Sequence, residues 1–109
     1  MAMNKPSRKS RTPITLRRSI TILKKQMPEL AERYRVKSLG VFGSYVRNEQ
    51  KRRSDLDILV EFEQAPDLFK FMDLEEYLAK QLGVKVDLVP RRALKGEIGE
   101  RILREVVTI

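Results

Sequence analysis

The sequence predicts an α/β (α+β) domain in which a small mixed β-sheet is covered by helices. Three observations lead there. Short β-rich apolar runs alternate with longer stretches of helical period, in the order helices, strand, helix, strand, long helix, strand, helix. The 109 residues are about two-fifths apolar, enough for one core and too few for two. No segment repeats another, which sets aside solenoids and propellers.

Taken in order, residues 1–11 are rich in Lys, Arg, Ser and Pro and lack an apolar period, so they are expected to form a flexible basic arm. The folded domain is then expected to span 12–109. Thr12-Pro13 reads as a helix start, a capping hydroxyl followed by Pro at the first helical position. Ile14, Leu16, Ile20 and Leu23 give the apolar stripe, and Pro28 is expected to open a separate short turn of helix through Tyr34. Val36 to Phe42 reads as the first strand. A short helix is expected after Gly43-Ser44, with Asn48 as its stop, because Asn tolerates the left-handed conformation. Leu56 to Phe62 is the second strand. Asp67 caps a long helix that Gly83 ends, with Leu68, Phe71, Met72, Leu78, Ala79 and Leu82 at helical spacing. Val84 to Val89 is the third strand, Leu94 to Glu105 a last helix, and Val106 to Ile109 a short edge strand.

Composition removes several chemistries. The chain has no His and no Cys. A Ser-His-Asp or Cys-His pair, a histidine general base and a thiolate or imidazole zinc site are therefore excluded. Oxygen ligands remain, and these favour Mg2+ or Mn2+. No apolar run reaches a membrane span and the N-terminus has no signal-peptide core, so a soluble cytoplasmic protein without a membrane partner is expected. The net charge of +8 is localised: residues 1–25 hold eight Lys or Arg and no acid, and the remainder is balanced at fifteen of each sign. That basic segment suits nucleic acid, an acidic partner, or simple solvation.

Chemistry concentrates between Val41 and Phe62. Asp55 and Asp57, two apart on a strand, point to one face about 6–7 Å apart along the chain. Asp87 interrupts an apolar strand between Val86 and Leu88, where an unpartnered buried carboxylate would be costly. If the two strands are neighbours, three carboxylates converge on shared cations, as in two-metal phosphoryl or nucleotidyl transfer. Gly43 lets the backbone turn tightly and approach a ligand, and the following N–H groups with the Ser44 hydroxyl favour phosphate. Arg47 and the Lys51-Arg52-Arg53 run suit either a triphosphate clamp or a solvated loop.

Gly43-Ser44, ten intervening residues and Asp55-Leu56-Asp57 resemble the signature of DNA-polymerase-β-type nucleotidyltransferases. Leu39 to Glu49, Ser54 to Phe62, Val86-Asp-Leu-Val and the closing Glu100-Arg-Ile-Leu-Arg-Glu-Val-Val are similar to the minimal nucleotidyltransferases, the antitoxin half of HEPN/MNT pairs. The resemblance covers roughly residues 30–109. Val46-Arg47-Asn48 stands where those proteins usually have Ala-Arg-Gly.

The resemblance implies a nucleotidyltransferase fold and two Mg2+ or Mn2+ ions per site, held by Asp55, Asp57 and Asp87. It implies Gly43 and Ser44 on the β- and γ-phosphates of ATP, with Arg47 beside them, and Asp87 completing the site for the metal that polarises the acceptor hydroxyl. AMP would pass to a tyrosine of a HEPN ribonuclease toxin and silence it. The alternative is a non-catalytic antitoxin that neutralises its partner by stoichiometric contact, with or without nucleic-acid binding through the basic N-terminus.

Overall fold

In a computed structural model that describes residues 14–109, three helices and four strands form two layers. Helix α1 (Leu16–Tyr34) starts at Thr15, whose hydroxyl accepts the Arg18 N–H at 3.0 Å. Thr12-Pro13 and the 1–11 arm lie outside the described residues. The helix does not restart at Pro28, as the sequence reading expected, but runs through it. Pro28 is exposed and thirteen residues into the helix, so the cost is a missing N–H on the solvent side. Leu23, Leu30 and Tyr34 bury the opposite stripe and hold the turns on either side of it.

Strands β1 (Val36–Phe42) and β2 (Leu56–Phe62) have the expected bounds. Helix α2 (Leu68–Leu82) is capped by Asp67, which accepts the Lys70 N–H, and stops at Gly83 with φ 73°. Strand β3 (Val86–Pro90) begins two residues later than expected, and helix α3 (Gly96–Glu105) begins after a short 3-10 turn at Arg91–Ala93. Strand β4 (Val107–Thr108) closes the sheet, whose order is β3-β2-β1-β4. β1 runs antiparallel to β2 and β4, whereas β2 and β3 are parallel and joined through α2.

The alternation of β2 divides the sheet. Leu56, Ile58 and Val60 join one core with Leu23, Leu30 and Tyr34 of α1 and Leu74, Leu78 and Leu82 of α2. Asp57, Leu59 and Glu61 take the other face, where Leu59 meets Leu103 and Val106 around a small cleft. The two core helices are tied by Tyr34 Oη donating to Asp73 at 2.8 Å and Tyr77 Oη donating to Gln26 at 2.6 Å. Burial and the bond to Asp73 push the Tyr34 phenol up to about 12. No helix among the described residues is long and apolar enough to cross a membrane.

Pro28→Ala restores a helix donor on an exposed face and is expected to stabilise the protein by about 1–2 kcal/mol. A urea unfolding midpoint at or below wild type would show that the helix is interrupted there.

Candidate active site

The site forms where β1 ends and β2 and β3 begin. Phe42 pairs with Asp57 across the antiparallel ladder, and Asp57 pairs with Asp87 across the parallel one. Asp55 lies immediately before β2, coupled to Asp57 through its charge. The strand neighbourhood that brings Asp87 to the other two acids is therefore present. Its environment differs from the expectation: Asp87 is exposed, not buried, because β3 is an edge strand. Val86 and Leu88 turn inward while Asp87 turns out, so its place in an apolar strand carries no desolvation cost.

Asp57 is the strained member. Its carboxyl is pushed up to about 6, first by burial and then by the charges of Asp87 and Asp55, with Arg47 opposing and Glu105 adding. Gly43 packs directly on it. At φ 82° this residue is in the left-handed region, and a Cβ there would run into the Asp57 carboxylate. Glycine is thus required twice over, by backbone conformation and by contact.

Behind Gly43 the chain forms a three-residue 3-10 turn, Gly43–Tyr45, rather than a short α-helix. One turn supplies little macrodipole, so any affinity for phosphate rests on individual donors. The Gly43 carbonyl accepts from Val46 and Arg47, and the Ser44 carbonyl accepts from Glu49 at 2.8 Å. Asn48 adopts φ 60°, the left-handed conformation foreseen for it. Lys51, Arg52 and Arg53 are all exposed on the following loop. Ser54 Oγ accepts the Lys51 N–H at 2.8 Å and closes that loop just ahead of Asp55.

One participant was not anticipated. Glu105, the last residue of α3, accepts the Gly43 N–H at 2.7 Å and the Arg47 guanidinium at 3.0 and 3.1 Å. Arg47 also donates to Glu49 at 3.0 Å. Arg47 therefore stands beside the turn but is engaged by two carboxylates, which neither a triphosphate clamp nor a solvated loop foresees. The only signal for Glu105 is its place in the closing Glu100–Val107 segment, where an acid at a helix C-terminus opposes the macrodipole.

Among the described residues no three acidic groups form a ready-made metal cage. The donor set still suits a hard divalent ion, because Mg2+ commonly takes one or two carboxylates and completes its shell with water and substrate phosphate. The raised Asp57, pushed up by burial and then by the charges of Asp87 and Asp55, is the electrostatic counterpart of that fit.

With this geometry in view, comparison with known proteins is specific. A family model described as a nucleotidyltransferase domain matches residues 23–108. A protein adenylyltransferase, MntA of Thermococcus cleftensis, is 52% identical over 96 residues, which is 88% of this chain and 97% of that protein. A solved structure assigned as a minimal nucleotidyltransferase shares 34% identity at TM-score 0.67, covering 84% of this chain and 95% of the other. A toxin–antitoxin crystal structure with AMP-PNP shares 27% at TM-score 0.61, covering 82% and 67%.

The Asp57 carboxyl holds its proton more tightly when folded than when unfolded. Its destabilising effect is absent below its ordinary value near 3.8, grows as pH rises through about 6, and is constant above. In metal-free buffer at pH 8, Asp57→Asn is expected to be more stable than wild type by about 1–2 kcal/mol, after allowance for solvent screening of this half-exposed group. The gap should vanish near pH 4. Equal urea midpoints at both pH values would show that neither burial nor the neighbouring carboxylates penalise the charged Asp57.

Proposed function

Because the chain belongs to the nucleotidyltransferase domain family, we propose that it is a protein adenylyltransferase that moves AMP from ATP to a hydroxyl of a partner protein. The observation that carries this reading is the in-register pair Asp57 and Asp87, with Asp55 adjacent, set against the Gly43 turn. A carboxylate group strained by its own charge next to a backbone that admits no side chain suits cations and a polyphosphate at one place.

In this reading Asp55, Asp57 and Asp87 hold two divalent cations, Mg2+ or Mn2+, which when bound supply neutralisation of phosphate charge. Gly43 and Ser44 receive the β- and γ-phosphates. Arg47 lies at their flank, held there by Glu105 and Glu49. Asp87, exposed on the outer strand, is the carboxylate an incoming hydroxyl reaches, and it takes that proton. The acceptor oxygen bonds to the α-phosphorus, the bond from that phosphorus to the bridging oxygen breaks, and pyrophosphate leaves.

The acceptor is a tyrosine of a HEPN-type ribonuclease toxin, which makes this chain an antitoxin of the cytoplasm, where ATP is available. Two likenesses support that assignment: the adenylyltransferase at 52% identity and the toxin–antitoxin structure with an ATP analogue. The basic segment 1–25 leaves room for nucleic acid as a further partner.

Incubation with labelled ATP, Mg2+ and the HEPN protein of the same host is expected to label that protein. Asp55→Ala or Asp57→Asn should reduce labelling about a hundredfold or more. Undiminished labelling by either variant would remove the carboxylates from the mechanism. Full neutralisation of the toxin by the doubly substituted Asp55→Asn/Asp57→Asn protein would show that contact alone suffices.

A further inference from the structure

Helix α2 leaves one face without a partner. Leu68, Phe69 and Met72 are exposed at its N-terminal end, Phe69 by 83%. Phe69, Met72, Glu76 and Ala79 follow one another at helical spacing along an open groove of about 520 Å³ between α2 and β3. Val86 lines its β3 side and Asp55 lies in its wall. The groove thus meets the carboxylate site at Asp55.

Its charge is opposite to that of the chain. Asp55, Asp73, Glu75 and Glu76 line it against a single Lys85, in a protein of net charge +8. Asp73 is held by Tyr34 and Glu75 by the Leu88 N–H at 2.9 Å, so both carboxylates are fixed rather than free to swing away. The bond to Leu88 has a second effect. It occupies a donor on the outer edge of β3, where an added strand would otherwise pair. An occupant must therefore engage the groove through side chains, which suits a helix with an apolar stripe and basic flanks. The acidic lining disfavours nucleic acid.

We propose that the α2–β3 groove seats a basic, amphipathic helix of the protein partner, docking it beside Asp55 at the margin of the carboxylate site. This rests on the adenylyltransferase reading for the identity of the partner. Apolar side chains of that helix cover Phe69 and Met72, and its Lys or Arg residues face Glu76 and Asp73. Recognition and chemistry then meet at Asp55.

The test uses Phe69→Ser/Met72→Ser and, separately, Glu76→Lys, all at exposed positions outside the carboxylate site. With the HEPN protein of the same host as acceptor, each is expected to raise KM for that protein about tenfold or more, with kcat changed less than twofold. Affinity for a fluorescent ATP analogue and the urea midpoint should match wild type. Calorimetric titration with the HEPN protein should show the same loss of affinity, independently of any labelling. Unchanged KM and affinity in both variants overturn the groove while leaving the adenylyltransferase reading intact. Absence of labelling by wild type, with binding that the variants weaken, overturns the reading and keeps the groove. No binding by wild type overturns both. Wild-type self-association that Phe69→Ser abolishes, or partner affinity that rises on deleting residues 1–11, would give the groove to a second copy or to the chain's own arm and overturn the proposal.

Discussion

Gly43 and the carboxyl of Asp57 lie in direct contact, and much of the architecture serves to keep them there. The strand pairing of Phe42 with Asp57 fixes the approach from one side. Glu105 fixes it from the other by taking the Gly43 N–H. A positive φ makes the turn possible and the missing side chain makes the contact possible. The result is a small carboxylate cluster with backbone packed directly against it.

The parallel pairing of β2 with β3 is the second constraint. Parallel strands need a crossover, and α2 provides it while burying Leu74, Leu78 and Leu82. Because strand alternation is strict, the same register that sends Leu56, Ile58, Leu88 and Val86 toward the helices sends Asp57 and Asp87 to the opposite face. Core and site are thus two sides of one sheet. The apolar face stabilises the fold, and the acidic end withstands its own repulsion because that face holds the strands together.

Much of this was legible in the sequence because the signals are local. β1 and β2 follow from runs of alternating apolar residues, and the limits of α2 follow from Asp67 and Gly83, whose capping roles are properties of single residues. Asn48 showed its left-handed conformation by residue type alone. What escaped depends on tertiary context. Pro28 looked like a boundary, but buried residues on either side carry the helix across it. Asp87 looked like a costly buried charge, since exposure depends on which strand lies at the edge. The groove beside Asp55 escaped too, because Phe69 and Met72 fit a helical stripe whether or not anything covers it. Glu105 was the hardest to see: no local pattern says that an acid at a helix end will reach a turn 62 residues earlier.

That distance gives the site an order of assembly. The α2–β3 wall is complete once the chain has reached Pro90, from elements close in sequence. The brace on Gly43 and the pairing of β4 with β1 wait for residues 105–108, and contacts of long sequence separation form late. In a folding chain, then, the α2–β3 wall can form from local contacts before the Gly43 turn gains its brace from Glu105.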